Sequence, residues 1–219
     1  ILTEKKFIDN LFVPLGPGDE NLSVGATYAY ITSLLGFKKA KNYIKKVNSA
    51  YLGSTINKKD EENFKKNKLV KNNYLRIKDL SQKKTAKLIA SGEIIAFCNG
   101  KMEFGARALG ARSFISDPSN LKAKKKLNDL IKKRDFWMPF TPSILKEDYY
   151  KYIINPKKIS SDYMTIAFET TKKGQNHLKA AIHPEDLTVR PQMVKRETNL
   201  VYYNLIKEFK KLSGIGAVL

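Results

Sequence analysis

Apolar positions along this chain come in short bursts separated by lysine-rich stretches, and the spacing within each burst indicates the element it forms. Leu11, Phe12, Val13 and Leu15 read as a short strand, and Gly16-Pro17-Gly18-Asp19-Glu20-Asn21 as the turn after it. From about Ser23 to Leu35 the pattern predicts a helix. Its small residues Gly25, Ala26 and Ala29 permit close packing on a neighbour, and Gly36 is its expected stop. Between Lys38 and Lys78 the periodicity weakens and polar residues dominate, apart from Tyr51-Leu52-Gly53, which marks a connector between domains.

Order returns at Ser81, from which a helix is expected to about Ala90, ended by Ser91-Gly92. Glu93 to Cys98 contains Ile94, Ile95, Ala96 and Phe97 in succession, the signature of a short buried strand. Asp117-Pro118-Ser119 opens a further helix with Leu121, Leu127, Leu130 and Ile131 as its apolar stripe. A tyrosine-rich turn at Tyr149, Tyr150 and Tyr152, a strand from about Tyr163 to Thr170 and a helix from about Asn199 to Leu212 follow. Ile215 to Leu219 reads as the start of another strand. This irregular alternation predicts a mixed α/β layer architecture, and neither a repeat array nor a helical bundle.

Composition narrows the picture. With 219 residues and 42% apolar content the chain can bury a real core in one or two domains. No apolar run approaches the roughly 18 residues of a membrane span, and Ile1 to Asn10 lacks the pattern of a leader, so a soluble, cytoplasmic protein is expected. Cys98 is the only cysteine, which excludes an intrachain disulfide and starves a Cys-based zinc site. The opening Ile1 and the apolar close suggest a piece of a longer chain.

The net charge of +20, from 41 basic against 21 acidic residues, attracts polyanions. Lysine pairs and triplets are spread over the whole length without the aromatic interleaving that stacks bases, which favours a solvated surface over a nucleic-acid interface. Arginine is used sparingly: Arg76, Arg107, Arg112, Arg134, Arg190 and Arg196 are all there are, and three of these six lie between 107 and 134. Where a diffuse charge suffices the chain uses lysine, so its arginines mark places that need a planar fork for phosphate or carboxylate.

Those places converge on the segment Asn99 to Ser113, which leaves the predicted strand directly. Its glycines, Gly100, Gly105 and Gly110, match neither the P-loop nor the dinucleotide fingerprint. They do allow backbone N–H groups to approach an anion, beside Lys101, Arg107, Arg112 and Ser113. From the residues alone two readings stand open, a phosphate pocket and a surface loop with ordinary salt bridges.

The string Gly100-Lys101-Met102-Glu103-Phe104-Gly105-Ala106-Arg107-Ala108-Leu109-Gly110-Ala111-Arg112-Ser113, followed by Asp117-Pro118, resembles the hallmark of the O-carbamoyltransferases of nodulation-factor and antibiotic biosynthesis. The likeness continues through Leu127-Asn128, Ile131 to Arg134, Pro139 to Leu145, His183, Thr188, Arg190-Pro191-Gln192, Asn199, Tyr202-Tyr203 and Phe209. Upstream, Gly18-Asp19 to Gly25-Ala26 is similar to the segment that closes the same family's actin-like, metal-binding domain. The resemblance implies a remnant of that domain at residues 1–48, a connector at 49–80, and a YrdC-like domain at 81–219, built on a twisted mixed sheet with flanking helices.

It also implies an activity. The YrdC-like part would form carbamoyl adenylate from carbamoyl phosphate and ATP with Mg2+, and the actin-like part, with bound Fe2+, would pass the carbamoyl group to a small-molecule hydroxyl acceptor. Lys101, Arg107 and Arg112 are then the expected catalytic cations on phosphate and carbamoyl oxygens, and Arg190 and Gln192 close the same pocket. Ser113 either donates to a phosphate oxygen or caps local backbone. Asp19 corresponds to an iron ligand whose partners would lie upstream, His183 to a hydrogen-bonding element, and His177 has no assigned role. Ala106, Ala111 and Met138 stand where the family usually has Pro, Asn and Arg, and one extra residue lies between His183 and Thr188. Two other readings carry different predictions. A nucleic-acid-binding YrdC-like module would bind any duplex with steep salt dependence. A threonylcarbamoyl-adenylate-forming tRNA-modification enzyme would share the adenylate chemistry without the Glu103 to Gly110 signature.

Overall fold

The structure, a computed structural model, describes residues 5–45, 47–73, 80–135 and 137–219. The opening residues 1–4 and residues 74–79 of the expected connector lie outside the described residues, as do Lys46 and Phe136. A one-turn 3-10 helix, Asp19–Asn21, leads into α1 (Leu22–Ala40), and α2 (Lys58–Lys66) and α3 (Lys68–Asn73) follow. After α4 (Gln82–Ala90) come β1 (Ile95–Cys98), β2 (Arg112–Ile115) and α5 (Leu121–Lys126), which continues as a π-helical stretch, Leu127–Lys132. β3 (Ser143–Leu145), α6 (Tyr149–Tyr152), β4 (Phe168–Glu169) and α7 (Lys172–His177) precede β5 (Thr188–Val189), β6 (Gln192–Val194), α8 (Leu200–Ser213) and β7 (Ala217–Val218).

The fold is mixed α/β, as its sequence predicts, with small sheets. β1 and β2 form an antiparallel hairpin in which Cys98 faces Arg112. β3 is the centre of a three-stranded mixed sheet, parallel to β6 and antiparallel to β7. β4 and β5 pair antiparallel. α8 packs along α4 and over this sheet. Its buried residues Tyr202, Leu205, Ile206 and Phe209 recur at helical spacing, so one face of the helix meets Ile89, Ile144, Leu145 and Val218 in the core. Both helices begin on side-chain caps: Ser81 Oγ accepts from Lys84 N–H, and Asn199 Oδ1 from Tyr202 N–H. α8 ends at Gly214, whose φ of 75° is the left-handed conformation that favours glycine.

Several expectations are corrected. Leu11 to Leu15 has no strand partner among the described residues. Gly36, the expected stop, is a kink inside α1, with φ 70° and ψ 154°. β1 alternates between partly buried and exposed positions because it belongs to a two-stranded hairpin, where one face meets solvent. The tyrosine turn is the helix α6, which buries Tyr149 and Tyr152. The strand expected over Tyr163 to Thr170 is confined to Phe168–Glu169, since Met164 takes φ 56° and breaks the extended run. Leu121, at the start of α5, is exposed, and the switch from α to π geometry at Leu127 rotates the rest of the stripe: Leu127 is buried, but Leu130 and Ile131 are exposed.

One contact positions the chemistry. Residues 50–54 run beside residues 102–104, with Gly53 N–H donating to the Met102 carbonyl, Met102 N–H to Ser54 and Phe104 N–H to Ala50, at 2.9, 3.0 and 2.7 Å. Ala50, Leu109 and Met164 form a small apolar cluster beneath that loop.

Candidate functional site

The loop between β1 and β2 is held from within by one carboxylate. Glu103 Oε1 accepts from the backbone N–H groups of Leu109, Ala111 and Arg112 at 2.8, 2.7 and 3.1 Å. Ser113 Oγ accepts from Gly110 N–H at 2.9 Å. The loop carbonyls are satisfied from outside: Leu109 accepts from Tyr51 Oη and Gln192 Nε2, and Gly110 from Asn199 Nδ2. Gly110 itself, at φ 93°, lies so close to the Tyr202 ring that a Cβ would sit 2.2 Å from it. The result is a polar loop whose shape is held by its own contacts.

This loop forms one wall of a cleft of about 500 Å3, a size that suits a small molecule. Arg107, Arg112, Lys132, Arg134 and Arg190 line it, as do Ser113, Thr141, Ser143, Tyr202, Phe97 and Phe140. Among the described residues no Asp or Glu lines the cleft. Arg107 and Arg190 come from segments far apart in sequence, yet burial and then the charge of Arg107 hold the Arg190 guanidinium below its ordinary pKa. Neither makes an ion pair among the described residues. Two like charges that share a cleft with no acid beside them among the described residues favour an anion between them.

The residues picked out from sequence separate into groups. Arg107, Arg112, Ser113 and Arg190 line the cleft together. Arg112 also serves the loop, since Nη1 donates to the Asn99 and Ala111 carbonyls and Nη2 to Gly100. Lys101 is exposed on the same loop and does not line the cleft. Gln192 is buried beneath, accepting from Ser143 Oγ at 2.8 Å and donating to Leu109, so it ties the loop to the β3–β6 pair. Ala106 lines the cleft and Ala111 is buried. Asp19 is exposed in its 3-10 turn, and among the described residues no three His, Cys, Asp or Glu side chains gather into a metal-holding group. These residues alone do not fit an iron centre. His183 approaches Asp186 at 3.3 Å, and His177 packs on the Tyr152 ring.

Glu103, Arg134 and Phe140 were not singled out as site residues by the sequence. Glu103 had a signal, being the one acid in a glycine-punctuated cationic loop. Arg134 and Phe140 reach the cleft only through tertiary packing.

Residues 86–219 match the family model described as carbamoyltransferase C-terminus. Over 99% of its length the chain is 34% identical to an uncharacterized protein of Methanocaldococcus jannaschii, of which it covers 35%. It is 35% identical to nodulation protein NolNO of Sinorhizobium fredii over 62% of this chain and 20% of that protein. With nodulation protein NolO of Bradyrhizobium diazoefficiens the identity is 29% over 96% of this chain and 38% of that protein. The chain thus spans between about a third and two fifths of the first curated relatives it matches. A loop of one acid and two arginines, set in a chain whose residues 86–219 match the family model, makes the assignment plain: this chain belongs to the carbamoyltransferase family, and residues 86–219 are the family's C-terminal domain.

Proposed function

We propose that this chain supplies the carbamoyl-activating part of an ATP-dependent O-carbamoyltransferase, with its YrdC-like domain over residues 81–219 and the actin-like remnant and connector before it. The observation that carries this reading is the cleft that Arg107 and Arg190 both line with no acid partner among the described residues. In it carbamoyl phosphate would be split by water into carbamate and phosphate. A carbamate oxygen would then attack the α-phosphorus of ATP, the α–β P–O bond would break, and pyrophosphate would leave with the electron pair. Arg107, Arg112 and Arg190 would hold the anionic oxygens as charge shifts between them, and Ser113 would donate to one of them. Lys101, exposed at the loop, would add a long-range cation, and Gln192 would keep the loop in place. Since no Asp or Glu among the described residues lines the cleft, Mg2+ would enter on the phosphate oxygens. The hydroxyl acceptor would then attack the carbonyl carbon of the adenylate and expel AMP. Asp19 would belong to the part of the protein that handles this second step.

Calorimetric titration of the chain with carbamoyl phosphate and with α,β-methylene-ATP tests the reading. Saturable binding that Arg107→Ala and Arg190→Ala each weaken by about tenfold or more supports it. Binding that survives both variants and merely tracks salt defeats it. Cys98 gives an independent readout, because the exposed thiol lines the cleft: bound ligand should slow its alkylation.

A further inference from the structure

The loop that carries Arg107 and Arg112 is held in part by a residue that belongs to neither the loop nor the cleft. Leu109 lies buried between the two arginines, and its carbonyl accepts from Tyr51 Oη at 2.7 Å and from Gln192 Nε2 at 3.0 Å. A carbonyl oxygen has two lone pairs, and both are used. Gln192 comes from β6, but Tyr51 lies 58 residues ahead of Leu109, in the stretch before α4, and is not among the residues that line the cleft. Burial holds the Tyr51 hydroxyl above its ordinary pKa, so it is a donor at neutral pH.

Tyr51 is itself fixed by its neighbours. Tyr51 N–H donates to Ser49 Oγ at 3.2 Å, and the three backbone hydrogen bonds between residues 50–54 and 102–104 run along the first half of the loop. The approach is closest at Gly53, where a Cβ would sit 3.0 Å from Met102 Cβ and 3.1 Å from its carbonyl oxygen. Leu15, from the segment ahead of α1, packs with Tyr51 against the cluster of Ala50, Leu109 and Met164, and its carbonyl lies 3.9 Å from where a Cβ on Gly105 would be. Two upstream stretches thus bear on the loop without reaching the cleft. A shift of Leu109 carries both arginines with it, because peptide units are stiff and Glu103 Oε1 gathers the N–H groups of Leu109, Ala111 and Arg112 on one atom. We propose that Tyr51 is a positioning residue for the cleft: its hydroxyl, donated to the Leu109 carbonyl, sets the loop at the angle at which Arg107 and Arg112 meet a common anion, so that the affinity of the cleft depends on where residues 50–54 lie. For the identity of that anion this rests on the activation reading above. The dependence is reciprocal, since an anion that prefers the set loop also holds residues 50–54 in place.

The test is residue-resolved amide hydrogen exchange together with calorimetry on the 219-residue chain, with carbamoyl phosphate as the probe. Tyr51→Phe keeps the ring and removes one donor while Gln192 still satisfies Leu109, so the fold should hold and the urea midpoint should move little. Exchange at the N–H groups of Leu109, Ala111 and Arg112 should quicken by about three- to tenfold, and exchange at Phe209 in α8 should not change. Carbamoyl phosphate should bind about three- to tenfold more weakly. In the wild type, saturating carbamoyl phosphate should slow exchange at Gly53 and Phe104 by about threefold or more, and the variant should lose most of that protection. Gly53→Val pushes residues 50–54 off Met102 and should give the same local pattern, so the comparison survives if Tyr51→Phe does not fold. Unchanged loop exchange, undiminished binding by the variant, or equal quickening at Phe209 overturns the proposal, the last because it marks a purely structural role. If the wild type does not bind carbamoyl phosphate, the activation reading fails, and loop exchange still decides whether Tyr51 sets the loop.

Discussion

α1 and α8 are the two long helices of the chain, and they differ in what their apolar residues do. α8 buries Tyr202, Leu205, Ile206 and Phe209 along one face. α1 carries as many apolar side chains, yet buries only Ala40, and Leu22, Tyr30, Leu34 and Phe37 are exposed. Local propensity suffices to make a helix in both places, but only a face that meets a partner adds the stability of burial. The polar groups repeat the contrast. Asp148 is buried between Lys151 and Lys210, whereas the Glu61–Lys65 pair of α2 lies open to solvent.

Substitutions on either side sharpen this difference. Phe209→Ala should cost about 3–5 kcal/mol in urea unfolding, the range for a large aromatic removed from a packed core. An effect under about 1 kcal/mol would mean that α8 is not the centre of the fold. Glu103→Ala leaves three loop N–H groups without their acceptor and should cost about 2–3 kcal/mol. It should also weaken every ligand of the cleft together. Asp148→Asn should cost about 1–2 kcal/mol and flatten the acid limb of the stability profile. Burial pushes the Asp148 carboxyl up, but the hydrogen bonds and charges of Lys151 and Lys210 outweigh it and leave the pKa below the ordinary value. The folded chain then holds the proton more weakly than the unfolded one. The contribution is fully present above the ordinary carboxylate range and fades as pH falls through the lowered value. Phe37→Ala and Glu61→Gln, on the open side of the contrast, should each stay within about 0.5 kcal/mol.

What could be read from the sequence follows the same division. α4, α8 and β1 lie where the capping residues Ser81 and Asn199 and the run from Ile94 to Phe97 put them, because their signals are local. The apolar run at the close of the chain likewise contains β7. The stripe failed at Leu130 and Ile131 because a change of helical type is invisible to a fixed period. In the polar stretch after Lys38, α2 forms on a capping box, Asn57 with Asp60, and buries nothing, so there was no apolar periodicity to find. In the cleft, Arg107, Arg112 and Ser113 announce themselves by sharing one glycine-rich loop, and Arg190 through the resemblance. Arg134 and Phe140 do not, since their meeting depends on how the chain turns back at Lys133.

The antiparallel partner of β3 is β7, and beyond it Leu219 exchanges backbone hydrogen bonds with Ser116. On the ribosome this orders events. β2 and β3 are synthesised well before the segment that joins them, and until Ala217–Leu219 emerge one edge of β3 is bare and Ile144 lacks part of its cover. The nascent domain therefore passes through a stage with an open apolar edge, in which a helper that shields strand edges would raise the yield of folded protein.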